Sequence, residues 1–409
     1  MGCRLLAVSY RLFLNTILRG KSGNLVCPVY LSSNNTLFLK YMMRFPILAF
    51  LFTIGFLSLS NCCFSQWKVL NLDTKANFRA VHAPSSNVCW IGGSGGTVLR
   101  TYDGGDIWDI MKVRDADSLD FRDVHGFNNR TAVVMSAGES EKGKARIYRT
   151  EDGGDTWQLV YETTQKGVFL DGMDFWDKEK GICFGDPVDG RIFILITQDG
   201  GRSWQELPLA NRPVAEDKEA AFAASGTSLI TVGRKQAFIG TGGGGMARVL
   251  RSEDNGQTWQ ASETPLLAGP SSGIFGLRFW SNKRGIAVGG DYMNVAEGLP
   301  NVLLTRDGGV SWQLVSKATD PVGLKEAVGL YHSEFVNYGG DQRSTRHKYG
   351  LVAVGPNGSS YSKDFGKTWA PLSKEPFHST SFVGPAGYAV GGKGLIGKFE
   401  KFPKKRRKR

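Results

Sequence analysis

The chain has 409 residues, with 50 lysines and arginines against 38 acids and a formal net charge of +12. The excess sits at the ends: residues 1–65 hold six basic residues (Arg4, Arg11, Arg19, Lys21, Lys40, Arg44) and no acid, residues 404–409 hold six more, and the body between is neutral. A neutral body excludes a nucleic-acid-binding surface as the source of the basic balance, so no nucleic-acid partner is expected.

Residues 1–41 precede a second candidate start at Met42 or Met43 and read as a non-native or disordered extension. From there the chain runs Met-Arg-Phe-Pro, an apolar stretch of 14 residues over 46–59, and a small residue before a cut between Ser65 and Gln66. That is the anatomy of a secretory signal peptide over residues 42–65. The apolar run is short of the about 20 residues of a spanning helix, so no stable membrane span is expected. A lipoprotein cut before Cys62 is the alternative, although Leu-Ser-Asn ahead of it matches a lipobox poorly. The mature chain is accordingly expected to be secreted or periplasmic. Of six cysteines only Cys89 and Cys183 lie beyond the leader, each in an apolar run that suits a buried free thiol.

Next comes Gln-Trp-Lys-Val-Leu-Asn-Leu (66–72), which reads as the outgoing strand of a sheet whose other strands are elsewhere. A segment of the form [Ser/Thr]-x-Asp-x-Gly-x-[Thr/Ser]-Trp then recurs six times, at residues 101–108, 150–157, 197–204, 252–259, 305–312 and 362–369. Only the first departs from it, with Ile107 in place of the second hydroxyl. Its aspartates, Asp103, Asp152, Asp199, Asp254, Asp307 and Asp364, are 47 to 57 residues apart, an interval that suits one four-stranded antiparallel sheet per repeat. Asp and Gly make a tight turn, the hydroxyls bond it from either side, and the Trp fills the apolar layer between sheets. These aspartates are therefore read as structural. β-branched and aromatic runs such as Arg-Ile-Tyr-Arg-Thr enter the turns, and runs such as Trp-Gln-Leu-Val leave them.

After the sixth turn, residues 377–400 supply three strands and no exit strand. Joined to residues 66–72, with Trp67 matching the repeat tryptophans, they complete a seventh sheet. The expected fold is all-β: a seven-bladed β-propeller over residues 66–403, closed by pairing the N-terminal strand with the last blade, which leaves no open edge. Residues 404–409 read as a basic disordered tail, with adhesion to an anionic surface as the functional alternative. A monomer is expected.

The six turns resemble the Asp-box (bacterial neuraminidase) repeat of the sialidase-like propellers, and residues 66–403 resemble the single-propeller family related to the photosystem II stability and assembly factor, in a secreted bacterial version. The resemblance implies a propeller that works as a binding or assembly scaffold for a protein or glycan ligand. It does not imply a photosynthetic role, and that family's basic patch has no counterpart that can be placed residue by residue. The box also occurs in sialidases and xyloglucan hydrolases, so a secreted glycoside hydrolase of sialidase-like architecture is the competing reading. Against it stand the missing Phe/Tyr-Arg-Ile-Pro segment, for which Asn-Phe-Arg-Ala-Val and Asp-Phe-Arg-Asp-Val are the nearest candidates, and room for one propeller only.

No cofactor or metal is expected. Gly240, Gly242 and Gly245 satisfy a dinucleotide-type glycine pattern, but a strand-like Met-Ala-Arg-Val-Leu-Arg-Ser follows where a helix is required. The five histidines show no metal-ligand spacing. Aligning the innermost strands on Phe-Arg-Ala-Val, Phe-Arg-Asp-Val, Leu-Asp-Gly-Met and Phe-His-Ser-Thr puts Arg79, Arg122, Asp171 and His378 at one position. Weaker matches in residues 219–225, 273–279 and 327–333 complete the set. With blade 7 beside blade 1, these side chains form one polar arc in the funnel, with Glu219 near it. Two arginines suit a carboxylate or phosphate ligand, while a set of charges that merely pair with one another is the equal alternative. Asp186, Asp189, Asp291 and Tyr292, on Gly-rich loops, are candidates for the funnel mouth, although as turn formers they need no such role.

Overall fold

The structure, a computed structural model, describes residues 66–295, 301–315, 325–332 and 349–400; the leader, the extension before it and the basic tail lie outside them. The strands form seven four-stranded antiparallel sheets. Their inner strands are Phe78–His82, Asp120–Gly126, Leu170–Phe175, Leu229–Val232, Ser272–Phe279, Ala327–His332 and Phe377–Val383, for blades 1 to 7. Each meets its successor and the last meets the first, so the ring is closed. Closure follows the sequence reading: Trp67–Asn71 pairs antiparallel with Leu395–Phe399, from Trp67 opposite Phe399 to Asn71 opposite Leu395.

Alternation along the strands produces seven apolar layers, one between each pair of neighbouring blades. Every layer receives one tryptophan from a repeat turn or from the matching N-terminal strand, namely Trp157, Trp204, Trp259, Trp312, Trp369, Trp67 and Trp108 from the blade 1–2 interface round to the blade 7–1 interface, and Trp90, Trp176 and Trp280 add a second to three of them. Cys89 and Cys183 are buried free thiols in these layers. Gly240, Gly242 and Gly245 lead into a strand, Met246–Ser252, and not into a helix.

The repeat turns have the chemistry their residues dictate. In the second, the Thr150 hydroxyl donates to Asp152 Oδ1 at 2.8 Å and accepts the Gly154 amide at 2.9 Å, while the Thr156 amide and hydroxyl donate to the carboxylate at 3.0 and 2.5 Å. In the first, Ile107 has no hydroxyl to give, and its amide serves both oxygens of Asp103 at 3.1 Å. The turn needs a left-handed residue before its glycine; Gly fills that place in four repeats, but Asn255 (φ 60°) and Phe365 (φ 59°) fill it in the fourth and sixth.

Donors converging on a carboxylate favour its charged form. Burial alone would raise the Asp307 pKa, but the Ser311 hydroxyl and amide and the Thr305 hydroxyl hold it at about 2. A depressed folded-state pKa contributes stability above the unfolded value and loses it as pH falls. Asp307→Asn is therefore expected to flatten the decline in urea midpoint between about pH 4 and pH 2. A decline as steep as in the unsubstituted chain would remove Asp307 from the acid transition.

Candidate functional site

The arc read from the sequence is created by one backbone device. In blades 1, 2, 3, 5 and 7 the ladder between the first and second strands shifts by one residue, leaving Arg79, Arg122, Asp171, Phe275 and His378 unpaired in register. A bulged residue is re-aimed by the local twist. In four of these blades a glycine faces the bulge on the second strand: Gly93, Gly185, Gly289 and Gly391. A Cβ on any of the four would press against a carbonyl oxygen beside the inner strand, of Asn77, Phe169, Gly273 or Pro376 respectively.

What the arc faces is the chain itself. Residues 219–225, aligned above as an inner strand, do not form one. Blade 4 uses Leu229–Val232, and the segment before it passes through the middle of the ring. Arg79 Nη1 donates to Ala224 O at 3.3 Å and Arg122 Nη1 to Ala223 O at 3.1 Å. The Ala221 amide donates to Asp186 Oδ1 at 2.9 Å, and the buried Asp171 carboxyl faces the Ala223 amide, with its Oδ2 left without a hydrogen-bond partner. Ser225 Oγ donates to Glu326 O at 2.9 Å, Ser379 Oγ to Ser225 O at 3.2 Å, and the Leu277 amide to Thr227 O at 2.8 Å. Residues 220–227 thus touch all seven blades, which only a segment on the ring axis can do. They form a plug, with Ala221, Ala223, Ala224, Ser225 and Gly226 buried. The small side chains let an irregular backbone pass the axis, and its polar groups are satisfied by the bulged side chains.

The candidate residues divide between those that meet the plug or its neighbours and those that do not. Arg79 also lies 3.7 Å from Glu326, His378 Nδ1 is 2.6 Å from Glu326 Oε2, and Arg122 Nε donates to Asp120 at 2.8 Å. Asp171 is 1% exposed, and burial, reinforced by Asp186 and opposed by Arg122, pushes its pKa well up. Burial also raises Asp186. Glu219 stands apart: it is paired with Arg248 and accepts the Thr241 hydroxyl at 2.6 Å. Asp291 caps its own loop by accepting the Met293 amide at 2.8 Å. Asp189 sits in a turn with φ 52°. Tyr292 is 47% exposed and meets Phe222 of the plug edge-on at 6.2 Å. Phe222 in turn stacks on Phe275 at 4.5 Å, so the mouth carries an aromatic side beside its charged side.

Sequence reasoning missed Glu326, Phe222 and Phe275. The signal for Phe275 was available in the paired glycines of Ala-Val-Gly-Gly (287–290), which match Trp-Ile-Gly-Gly (90–93) and Ala-Val-Gly-Gly (389–392). Larger clefts of about 260 and 300 Å³ lie between repeat turns at the outer rim and gather none of the candidate funnel residues. Among the described residues no group of His, Cys, Asp and Glu is placed to hold a metal, and no helix is long and apolar enough to cross a membrane.

No family model matches the chain. It is similar to the photosystem II assembly lipoprotein Ycf48 of Synechococcus sp. (strain CC9902), with 22% identity over 290 residues that span 63% of this chain and 80% of that one. A solved structure of YCF48 bound to D1 peptide shares the fold at a TM-score of 0.55 and 16% identity, covering 83% of this chain and 96% of the other. An ancestral GH74 enzyme also shares the fold, at a TM-score of 0.53 and 16% identity; 81% of this chain matches, over 46% of the enzyme.

Proposed function

We propose that the protein is an exported, non-catalytic Asp-box propeller that acts as a monomeric binding scaffold, taking a segment of a protein partner at the funnel mouth. The observation that carries this reading is the plug. Of the carboxylates that a hydrolase would use, Asp186 accepts the Ala221 amide and Asp171 is buried against the plug at 1% exposure, so neither is free to meet a glycosidic oxygen. What the mouth offers is a recognition surface: the part-exposed Arg79 and Arg122 beside Phe222, Tyr292 and Met293, which is 77% exposed. Arginine forks suit carboxylate-bearing segments, and aromatic and Met surfaces add apolar area.

Similarity to an assembly lipoprotein, and a fold shared with a propeller bound to a peptide, support a protein ligand over a glycan. Export by cleavage after Ser65 remains part of the proposal, as does the role of Asp291 at the rim.

A peptide array and a glycan array probed with the full chain, alongside a glycoside hydrolysis screen, test the reading. Saturable peptide binding without turnover is expected. Arg79→Ala with Arg122→Ala is expected to weaken it by about tenfold or more while the protein still folds. Turnover abolished by Asp171→Asn would make the arc an active site and overturn the scaffold.

A further inference from the structure

Below the plug, at the ends of the inner strands and on the face that carries the repeat turns, lies a second chamber of about 100 Å³. That volume is about three waters' worth, or one small anion. Its roof is Gly226 and Thr227 of the plug, and its walls carry an unusual set of donors. Arg278, from blade 5, has a buried Nε with no partner, no hydrogen bond or ion pair among the described residues engages the rest of its guanidinium, and Asp174 acts on it only as a nearby charge that opposes the effect of burial. His82, from blade 1, accepts the Gly126 amide on Nδ1 at 3.0 Å, which places its proton on Nε2, where no described residue accepts it. Ser381, from blade 7, accepts the Ala83 amide at 3.1 Å and keeps its own hydroxyl proton to donate.

The carboxylates nearby are already committed. Asp174 accepts the Phe175 amide at 2.8 Å, the Thr231 amide at 2.7 Å and the Thr231 hydroxyl at 3.0 Å, and it faces His125 Nδ1 at 3.3 Å. Asp123 accepts the Val124 amide at 2.7 Å and the Met173 amide at 2.6 Å. Burial favours its neutral form. Three unspent donors therefore line one cavity, with no described acceptor assigned to them. A guanidinium out of bulk water with no hydrogen-bonded partner is costly, and a bound anion lowers that cost.

We propose that this chamber binds one small oxyanion, a carboxylate or phosphate group, on Arg278 with His82 and Ser381 completing its hydrogen bonds. The site is separate from the funnel mouth and does not depend on what the mouth binds.

Inorganic phosphate and acetate, each titrated into the full chain at constant ionic strength, provide the test, read by melting temperature and calorimetry. A saturable rise in melting temperature with one or both is expected. It should persist when Arg79 and Arg122 are both alanine, and Arg278→Met should weaken binding about tenfold or more. Arg278→Met is also expected to melt at or above the unsubstituted protein in anion-free buffer, because it removes a charge that burial disfavours and that no hydrogen bond offsets. Arg278→Lys, which keeps the charge without the fork, should retain a weakened response. Absence of a saturable response, or responses in both Arg278 variants equal to that of the unsubstituted chain, would overturn the assignment.

Discussion

Alanine in place of Trp67 is expected to cost about 3–5 kcal/mol, the range for deleting a large buried aromatic. Trp67 is 1% exposed, its ring lies 5.3 Å from Phe377, 6.0 Å from Phe382 and 5.2 Å from Phe399, and its Nε1 donates to Ser359 Oγ at 3.0 Å. It anchors the strand that closes the ring, so its loss attacks the blade 6–7 layer and the pairing to Leu395–Phe399 together. Guanidinium denaturation measures the loss, and limited proteolysis near residue 66 should accelerate with it. A cost below about 1 kcal/mol would mean that the circle is held elsewhere.

The second large effect is at the axis. Gly226→Ala is expected to cost about 3 kcal/mol, from backbone strain and overpacking combined. Gly226 has φ +75°, and a methyl on it would fall inside the Asp123 carboxyl group, which the Met173 and Val124 amides hold in place. Gly190 separates the two contributions: it has φ +72° but nothing within 4 Å of its missing Cβ. Gly190→Ala should therefore show the backbone strain alone, about 1 kcal/mol. Equal losses at the two positions would mean that the plug is not tightly seated.

The ring was legible because its signals are local and repeated. Each Asp-Gly turn declares a hairpin by its own chemistry, and Trp67 declares the missing strand of blade 7 by matching the repeat tryptophans. The alignment of Arg79, Arg122, Asp171 and His378 also reflects a shared position, since a bulge puts each at the same step of its inner strand. The plug was hidden for a physical reason. Ala-Phe-Ala-Ala-Ser (221–225) is an apolar run like that of a buried strand, and only the partners available on the axis make it an irregular segment instead. Glu219 was drawn into the arc by that misreading, whereas its partner Arg248 lies 29 residues away on the blade 4 strand Met246–Ser252.

Hydrogen–deuterium exchange over residues 220–227 tests the filled funnel most directly. The Ala220 amide is bonded to Gly242 O at 2.9 Å and the Ala221 amide to Asp186 at 2.9 Å, inside a ring whose inner strands open only with the whole fold. The segment is expected to exchange as slowly as the inner strand Leu170–Phe175. Exchange at the rate of an exposed loop would leave the funnel open, return Asp171 and Asp186 to solvent, and contradict a scaffold built around its own plug.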